Sequence, residues 1–208
     1  TPKTARLLCD LTLPDGTPWE ACPRGFLRRM IDRARLQGLV LKASFENEFT
    51  LARREGDRYV PLDRSPYAST TGMDSAAAAM MDVVEALLAQ GVQPEQYHPE
   101  LGPGQQELSV RFTDALRAAD TQLVFRETAR GVALNHGLVA SFAAKPFADG
   151  AGNGSHIHWS LWRTRDGKNH FHDPRGPHGL SEAGYAFIGG VLAHLPALVA
   201  LTAPSVNS

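Results

Sequence analysis

Leu39-Val40-Leu41-Lys42-Ala43-Ser44-Phe45-Glu46-Asn47-Glu48-Phe49-Thr50-Leu51-Ala52-Arg53 is the stretch on which the fold turns. Its alternation of apolar and polar residues predicts one long β-strand. Alternate side chains of a strand share a face, so Glu46 and Glu48 project together from one side. Adjacent carboxylates repel, and burying them without a partner is costly. Two readings fit this pair: a polar face turned to solvent, or a seat for a hard divalent cation, which prefers oxygen ligands.

The flanking sequence predicts mixed structure. Pro23 suits the first turn of a helix ending before Gly38, and Gly56-Asp57 folds Tyr59 to Leu62 back as a hairpin partner. Asp74 is a candidate N-cap for an Ala-rich helix over Ser75 to Gln90, with Gly91 as its stop. Val92 to Glu100 and Gln105 to Phe112 read as strands joined by Gly102-Pro103-Gly104. Thr113 is a candidate cap for an amphipathic helix reaching His136 and stopping at Gly137. Leu138 to Lys145 and Ser155 to Trp162 read as strands on either side of a Gly-rich loop. Ser181 begins another helix and Pro196 a last short one, while Arg6 to Leu11 is strand-like. Without repeats, linkers or a regular strand–helix–strand rhythm, the expectation is a single α+β domain over 1–208 with a largely antiparallel sheet.

Composition narrows the partners. The 21 Lys+Arg against 22 Asp+Glu give no general electrostatic reason to bind nucleic acid or membrane. No apolar run matches the length of a membrane span, and the N-terminus lacks the plan of a signal peptide. Cys9 and Cys22 have no metal or redox spacing, so they read as reduced thiols of a cytoplasmic protein.

Two further clusters carry chemistry. In Tyr97-His98-Pro99-Glu100-Leu101-Gly102-Pro103-Gly104-Gln105-Gln106-Glu107, the turn can bring Glu100 and Glu107 together. In Gly150-Ala151-Gly152-Asn153-Gly154-Ser155-His156-Ile157-His158-Trp159-Ser160, the residues His156, His158 and Ser160 share a strand face behind a loop that lets backbone approach a ligand.

Taken in order, these segments resemble the glutamine synthetase family from Ala5 to Ser208. Lys145-Pro146-Phe147 and Leu201-Thr202-Ala203-Pro204-Ser205-Val206-Asn207-Ser208 extend the likeness. The resemblance implies an α+β catalytic half-barrel of largely antiparallel strands flanked by helices. It implies an ATP-dependent ligase that activates glutamate as γ-glutamyl phosphate and passes it to ammonia, giving glutamine. Two cations, Mg²⁺ or Mn²⁺, are implied: Glu48, Glu100 and Glu107 hold one, and Glu46 with His156 holds the other, which bridges the ATP phosphates. Four carboxylates and a neutral imidazole carry four negative charges, which two divalent cations match. Gly152 matches a glycine whose backbone meets glutamate, as Glu48 and Glu100 stand beside that substrate through their cation. His158 and Ser160 match positions lining the nucleotide, and Phe112 one near adenine. Tyr67 matches a catalytic-pocket tyrosine near ammonium, but the proline-rich pattern of ordinary ammonia-using members is absent around it. An acceptor such as a polyamine therefore stays open.

The likeness also implies that this is the central part of a longer polypeptide, starting at Thr1 without Met. The family's small N-terminal domain, catalytic arginines, loop glutamate and one more metal-binding glutamate fall outside it, and a homo-oligomeric ring completes the site. On that expectation the chain alone is inactive. Two readings of other classes stand beside the ligase. One is a zinc hydrolase using His156, His158, His170, His172 and His178, against which the carboxylate-rich clusters weigh. The other is a non-catalytic relative that keeps the fold as a structural or interaction protein.

Overall fold

The computed structural model describes residues 5–205, so the last three positions of the Leu201–Ser208 motif lie outside the described residues. Its frame is the predicted long strand. This strand, β1 (Leu39–Glu55), follows helix α1 (Pro23–Leu36) and turns at Gly56 into β2 (Arg58–Pro61). Helix α2 (Thr70–Ala89) leads to the hairpin β3 (Pro94–Pro99) and β4 (Gln105–Val110). A two-residue strand β5 (Thr113–Asp114) opens into the long helix α3 (Ala115–Asn135). Strands β6 (Leu138–Ser141) and β7 (Ser155–Arg163) flank the Gly-rich loop, and a short 3-10 turn precedes α4 (Glu182–Ala193) and α5 (Leu195–Thr202).

All seven strands join one antiparallel sheet that curls into a half-barrel, and five of them pair with β1. On one edge β1 meets β7 and then β6; on the other it meets β5, β4 and β2 in turn. Nearly every backbone group of β1 therefore has a partner, which lets a strand of 17 residues run without fraying. One face of the sheet is covered by α2 and α3. There Phe49, Leu51, Leu108 and Val110 pack with Met80, Val83 and Leu87 of α2 and Phe125, Ala129 and Ala133 of α3. Phe49 meets Phe125 edge-on at 6.0 Å and Phe142 in a stack at 5.3 Å. By the pleat, Glu46 and Glu48 face the other way, into the concave side.

Four boundaries differ from the sequence reading. Helix α2 starts at Thr70 with Ser69 in the N-cap position, placing Asp74 inside the helix. The Thr-Thr-Gly run has low helix propensity, but tertiary packing overrides it: a Cβ on Gly72 would sit 3.2 Å from Pro99. Asp114, rather than Thr113, holds the N-cap position of α3, because Thr113 is drawn into pairing with Ala43. The strand expected over Leu138 to Lys145 ends at Ser141, where Phe142 turns into the aromatic core and the loop begins. Arg6 to Leu11 is not a strand. Its backbone finds no sheet neighbour, and the segment is held by Arg6–Glu127 and Asp10–Arg24 ion pairs and by the Leu11 N–H on Cys22 Sγ.

The α4–α5 arm is different in kind. Ile188, Leu192, Leu195, Leu198 and Leu201 are exposed along it. Among the described residues no single helix is long and apolar enough to cross a membrane; α4 and α5 reach that length and apolarity only together, across a 66° bend.

Candidate metal and nucleotide site

The register of the sheet assembles the site. Cross-strand partners share a face, so pairing of His98 with Glu107 and of Glu107 with Glu48 makes one lateral row over β3, β4 and β1. The next row runs from Ser109 through Glu46 to His156, about 7 Å further along β1. Beyond it come Ser44 with His158, then Asp114, Lys42 and Ser160.

The first row is the tighter. Glu100 follows β3, and the tight turn Gly102–Gln105 swings it back over the hairpin. Ligand atoms of His98, Glu100 and Glu107 all lie within 4.8 Å of one another. Among the described residues this is the one such group of three or more, so His156, His158, His170, His172 and His178 do not form a histidine-rich zinc centre. Burial pushes the Glu107 carboxyl above its ordinary 4.5; the charges of Glu46, Glu48 and Glu100 add to this, against the pull of His98. A carboxyl raised in this way is what a cation relieves, and the oxygen-rich donor set fits Mg²⁺ or Mn²⁺ better than zinc.

Glu48 stands in the same row but its carboxylate is turned toward the Gly-rich loop. Its Oε2 accepts the Gln105 side-chain amide at 2.5 Å and the Gly154 N–H at 2.8 Å. Gln105 also donates to the Gly152 carbonyl at 2.9 Å. Gly152 is confined, since a Cβ there would lie 2.3 Å from the Ala144 carbonyl oxygen. Asn153 fastens the loop to β6 and its extension by donating to the Ser141 and Ala143 carbonyls, and to β1 by accepting from the Thr50 hydroxyl. Between this loop, α3 and the end of α5 lies a cavity of about 500 Å³, lined by Asn47, Glu48, Gln122, Arg126, Phe142, Asn153 and Gly154 among others.

In the second row Glu46 is clamped between two imidazoles. His156 Nδ1 lies 3.1 Å from one oxygen and His158 Nε2 2.6 Å from the other. Burial works to raise the Glu46 carboxyl, but hydrogen bonds and charge from His158 and then His156 outweigh it and hold the group below 4.5. His158 thus points at Glu46, while the Ser160 hydroxyl accepts the Trp162 Nε1–H at 2.9 Å. Phe112 lies nearly parallel to Trp162, at 6.3 Å and 13°, with Lys42 Nζ 4.8 Å from the Trp162 ring centre. Tyr67 sits at the opposite end, half exposed, its ring edge-on to His98 at 5.5 Å.

The structure therefore gathers Glu46, Glu48, Glu100, Glu107 and His156 on one concave face, with Gly152 behind Glu48 and Tyr67 beside Glu100's neighbour. Phe112 and Ser160 lie further along. Sequence reasoning passed over His98, Gln105, Lys42, Trp162 and Arg126. His98 had a legible signal, since it lies two residues before Glu100 in a predicted strand. Gln105 and Arg126 had none, because their roles arise from contacts with residues far away in the chain. Arg126 sits over Phe142 at 4.6 Å, with its pKa lowered by burial and by Arg130.

The curled antiparallel sheet is an architecture shared with solved structures of one enzyme class. The family description "Glutamine synthetase, catalytic domain" matches residues 20–208. The chain belongs to the glutamine synthetase family. It is 40% identical to the glutamine synthetase of Thermus thermophilus over 99% of its own length and 47% of that protein's. It is 39% identical to the gamma-glutamylpolyamine synthetase GlnA3 of Streptomyces coelicolor, over 96% of this chain and 43% of that one. A solved structure described as a novel glutamine synthase homolog superposes with a TM-score of 0.86 at 40% identity, covering 94% of this chain and 45% of that one. An ADP complex of GmaS gives 0.86 at 33% identity, over 93% and 45%. The chain thus spans about half the length of these relatives.

Proposed function

We propose that this chain carries the cation and nucleotide side of an ATP-dependent ligase that joins glutamate to ammonia. The observation that supports it most is the pair of rows on the concave face, one with His98, Glu107 and Glu48 and the other with Glu46 and His156. Glu48, Glu100 and Glu107 would hold one Mg²⁺ or Mn²⁺, and Glu46 with His156 the other. Bound there, the cations supply charge stabilisation to a transferring phosphoryl group. The sheet residues fix their positions, and the Gly152 backbone meets glutamate. His158, Ser160 and Phe112 line the nucleotide, and the ADP complex of GmaS supports a nucleotide in this fold.

In the proposed reaction the glutamate side-chain carboxylate attacks the γ-phosphorus of ATP, and the bond to the β-phosphate bridging oxygen breaks. This gives γ-glutamyl phosphate and ADP. Ammonia then attacks the acyl carbon, phosphate leaves, and the nitrogen gives up a proton near Tyr67. We take 1–208 as the central part of the catalytic domain. The protein that contains it is proposed to act in the cytoplasm, in nitrogen metabolism, as a homo-oligomeric ring.

A second reading replaces ammonia by a polyamine or other amine. Two observations favour it: the half-exposed Tyr67 outside a proline-rich setting, and similarity to a polyamine ligase as close as to several glutamine synthetases. Titration calorimetry of ATP into the chain tests the shared part. Binding should require Mg²⁺ and be lost in Glu46→Gln; ATP binding indifferent to both would overturn it. Phosphate release from ATP and glutamate with a panel of amines, by the protein containing this chain, separates ammonia from larger acceptors. The 208-residue chain alone should release none.

A further inference from the structure

His98 stands between the two chemistries that the site must join. Its Nε2 lies 2.9 Å from Glu100 Oε1 and 3.9 Å from Glu107 Oε2. Its ring receives Tyr67 edge-on at 5.5 Å. Its Nδ1 is buried without a hydrogen-bond partner among the described residues. That last fact selects the tautomer. An N–H on Nδ1 would be a buried donor left unmet, and Nε2 would then turn a lone pair toward a carboxylate. The hydrogen therefore belongs on Nε2, which donates to Glu100.

Glu100 needs such a partner. It lies beyond the end of β3, on a turn, so strand pairing does not set its side chain as it does for Glu48 and Glu107. Its Oε2 accepts the Leu101 N–H at 3.0 Å, and its Oε1 has His98. With both oxygens held, the carboxylate presents its remaining lone pairs toward Glu107. His98 itself is fixed by pairing opposite Glu107 and by Tyr67 against its ring.

We propose that His98 is a positioning residue: its Nε2–H orients Glu100 toward the cation held with Glu107, and the same imidazole seats Tyr67 beside it. One ring would thus set the spacing between a cation ligand and the acceptor-side tyrosine. This rests on the cation reading of the site given above.

Mn²⁺ titration of the 208-residue chain, followed by the electron paramagnetic resonance signal of free Mn²⁺, tests it with two substitutions. His98→Gln keeps an N–H donor at the reach of Nε2, whereas His98→Asn keeps a polar group only at the reach of Nδ1. Loss of a hydrogen-bonding partner behind a metal ligand weakens affinity about 10–100-fold. The Asn variant should show that loss, and the Gln variant should bind close to wild type. Thermal melting of the metal-free proteins identifies any variant that fails to fold, and Gln against wild type then still decides. An Asn variant that binds as tightly as wild type, or a Gln variant that falls as far as Asn, overturns the role of His98 alone. No saturable Mn²⁺ binding by wild type would instead overturn the cation reading, and His98's role with it.

Discussion

The two rows of the concave face hold similar side chains in opposite electrostatic states. In the β3–β4 row the side chains of His98, Glu100 and Glu107 are only 17%, 17% and 13% exposed. In the β7 row His156 and His158 are 69% and 60% exposed around a Glu46 that is 28% exposed. The shallow row neutralises its carboxylate with imidazoles from its own strand pair, and Glu46 is pulled below its ordinary pKa. The deeper row cannot do so, since it sets Glu48, Glu100 and Glu107 beside one imidazole, and Glu107 is pushed up, by burial first and then by its neighbours' charges. Burial thus decides which half carries carboxylate charge that its own side chains do not balance. The β3–β4 row should respond strongly to metal, while the β7 row is already near balance.

Both rows hang from β1, so the largest perturbation is one that removes what backs it. Phe49 is fully buried on the reverse face, between Phe125 and Phe142. Phe49→Ala should destabilise the chain by about 3–5 kcal/mol, as aromatic truncations in packed cores do. Urea denaturation followed by circular dichroism would measure it. A loss below about 1 kcal/mol would mean that the sheet is not seated on this cluster and that the rows are not held by one support.

Next in size is the response of the deeper row to metal. Mn²⁺ at a hundred times its dissociation constant should stabilise the wild type by about 2.7 kcal/mol. Glu107→Gln should abolish that gain yet leave the metal-free chain at neutral pH as stable as wild type or more so, because it removes a charge that burial disfavours. Thermal melts with and without Mn²⁺ read both effects. If the substitution destabilises the metal-free chain strongly, the Glu107 carboxylate is already satisfied within the protein and the contrast between the rows disappears.

How much of this contrast could be read in advance depends on whether a position is set by pleat or by packing. Glu46 and Glu48 sharing a face follows from alternation alone, and Glu100 nearing Glu107 follows from a Gly-Pro-Gly turn. The half-barrel follows from family likeness, since alternation cannot say that β1 would be paired on both edges. Burial of the β3–β4 row was not legible, because the contacts made to it by Tyr67 on His98 and by the Ala68 N–H on the Pro99 carbonyl come from a loop distant in sequence. The link from Glu48 through Gln105 to Gly152 was hidden for the same reason. The early start of α2 was missed where close approach to Pro99 requires Gly72, a residue that propensity alone reads as a break.

Opposite pKa shifts give the rows opposite pH signatures. A folded-state value raised above 4.5 means that folded Glu107 holds its proton longer than the unfolded chain does. Its contribution is fully present below the unfolded pKa and is lost as pH rises through the folded one. Glu46 behaves in reverse: its contribution is present above 4.5 and is lost as pH falls through its lowered value. In metal-free melts from pH 3 to 8, Glu107→Gln should flatten the decline on the less acidic side of 4.5 and Glu46→Gln the decline on the more acidic side. Saturating Mn²⁺ should erase the Glu107 signature at neutral pH, since the metal favours the ionised carboxylate.

The smallest effect expected is Glu46→Gln on stability at neutral pH. Its two imidazole partners are well exposed, and exposed ion pairs contribute about 0.2–1 kcal/mol. An amide can still bond to one imidazole, so the loss should stay within that range while Mg²⁺-dependent ATP binding disappears. The comparison between the rows predicts this separation, with little stability and much ligand affinity carried by one carboxylate. A loss of several kcal/mol in urea would mean that Glu46 and its histidines form a structural clamp between β1 and β7 rather than a ligand site, and the separation of stability from ligand affinity would fail.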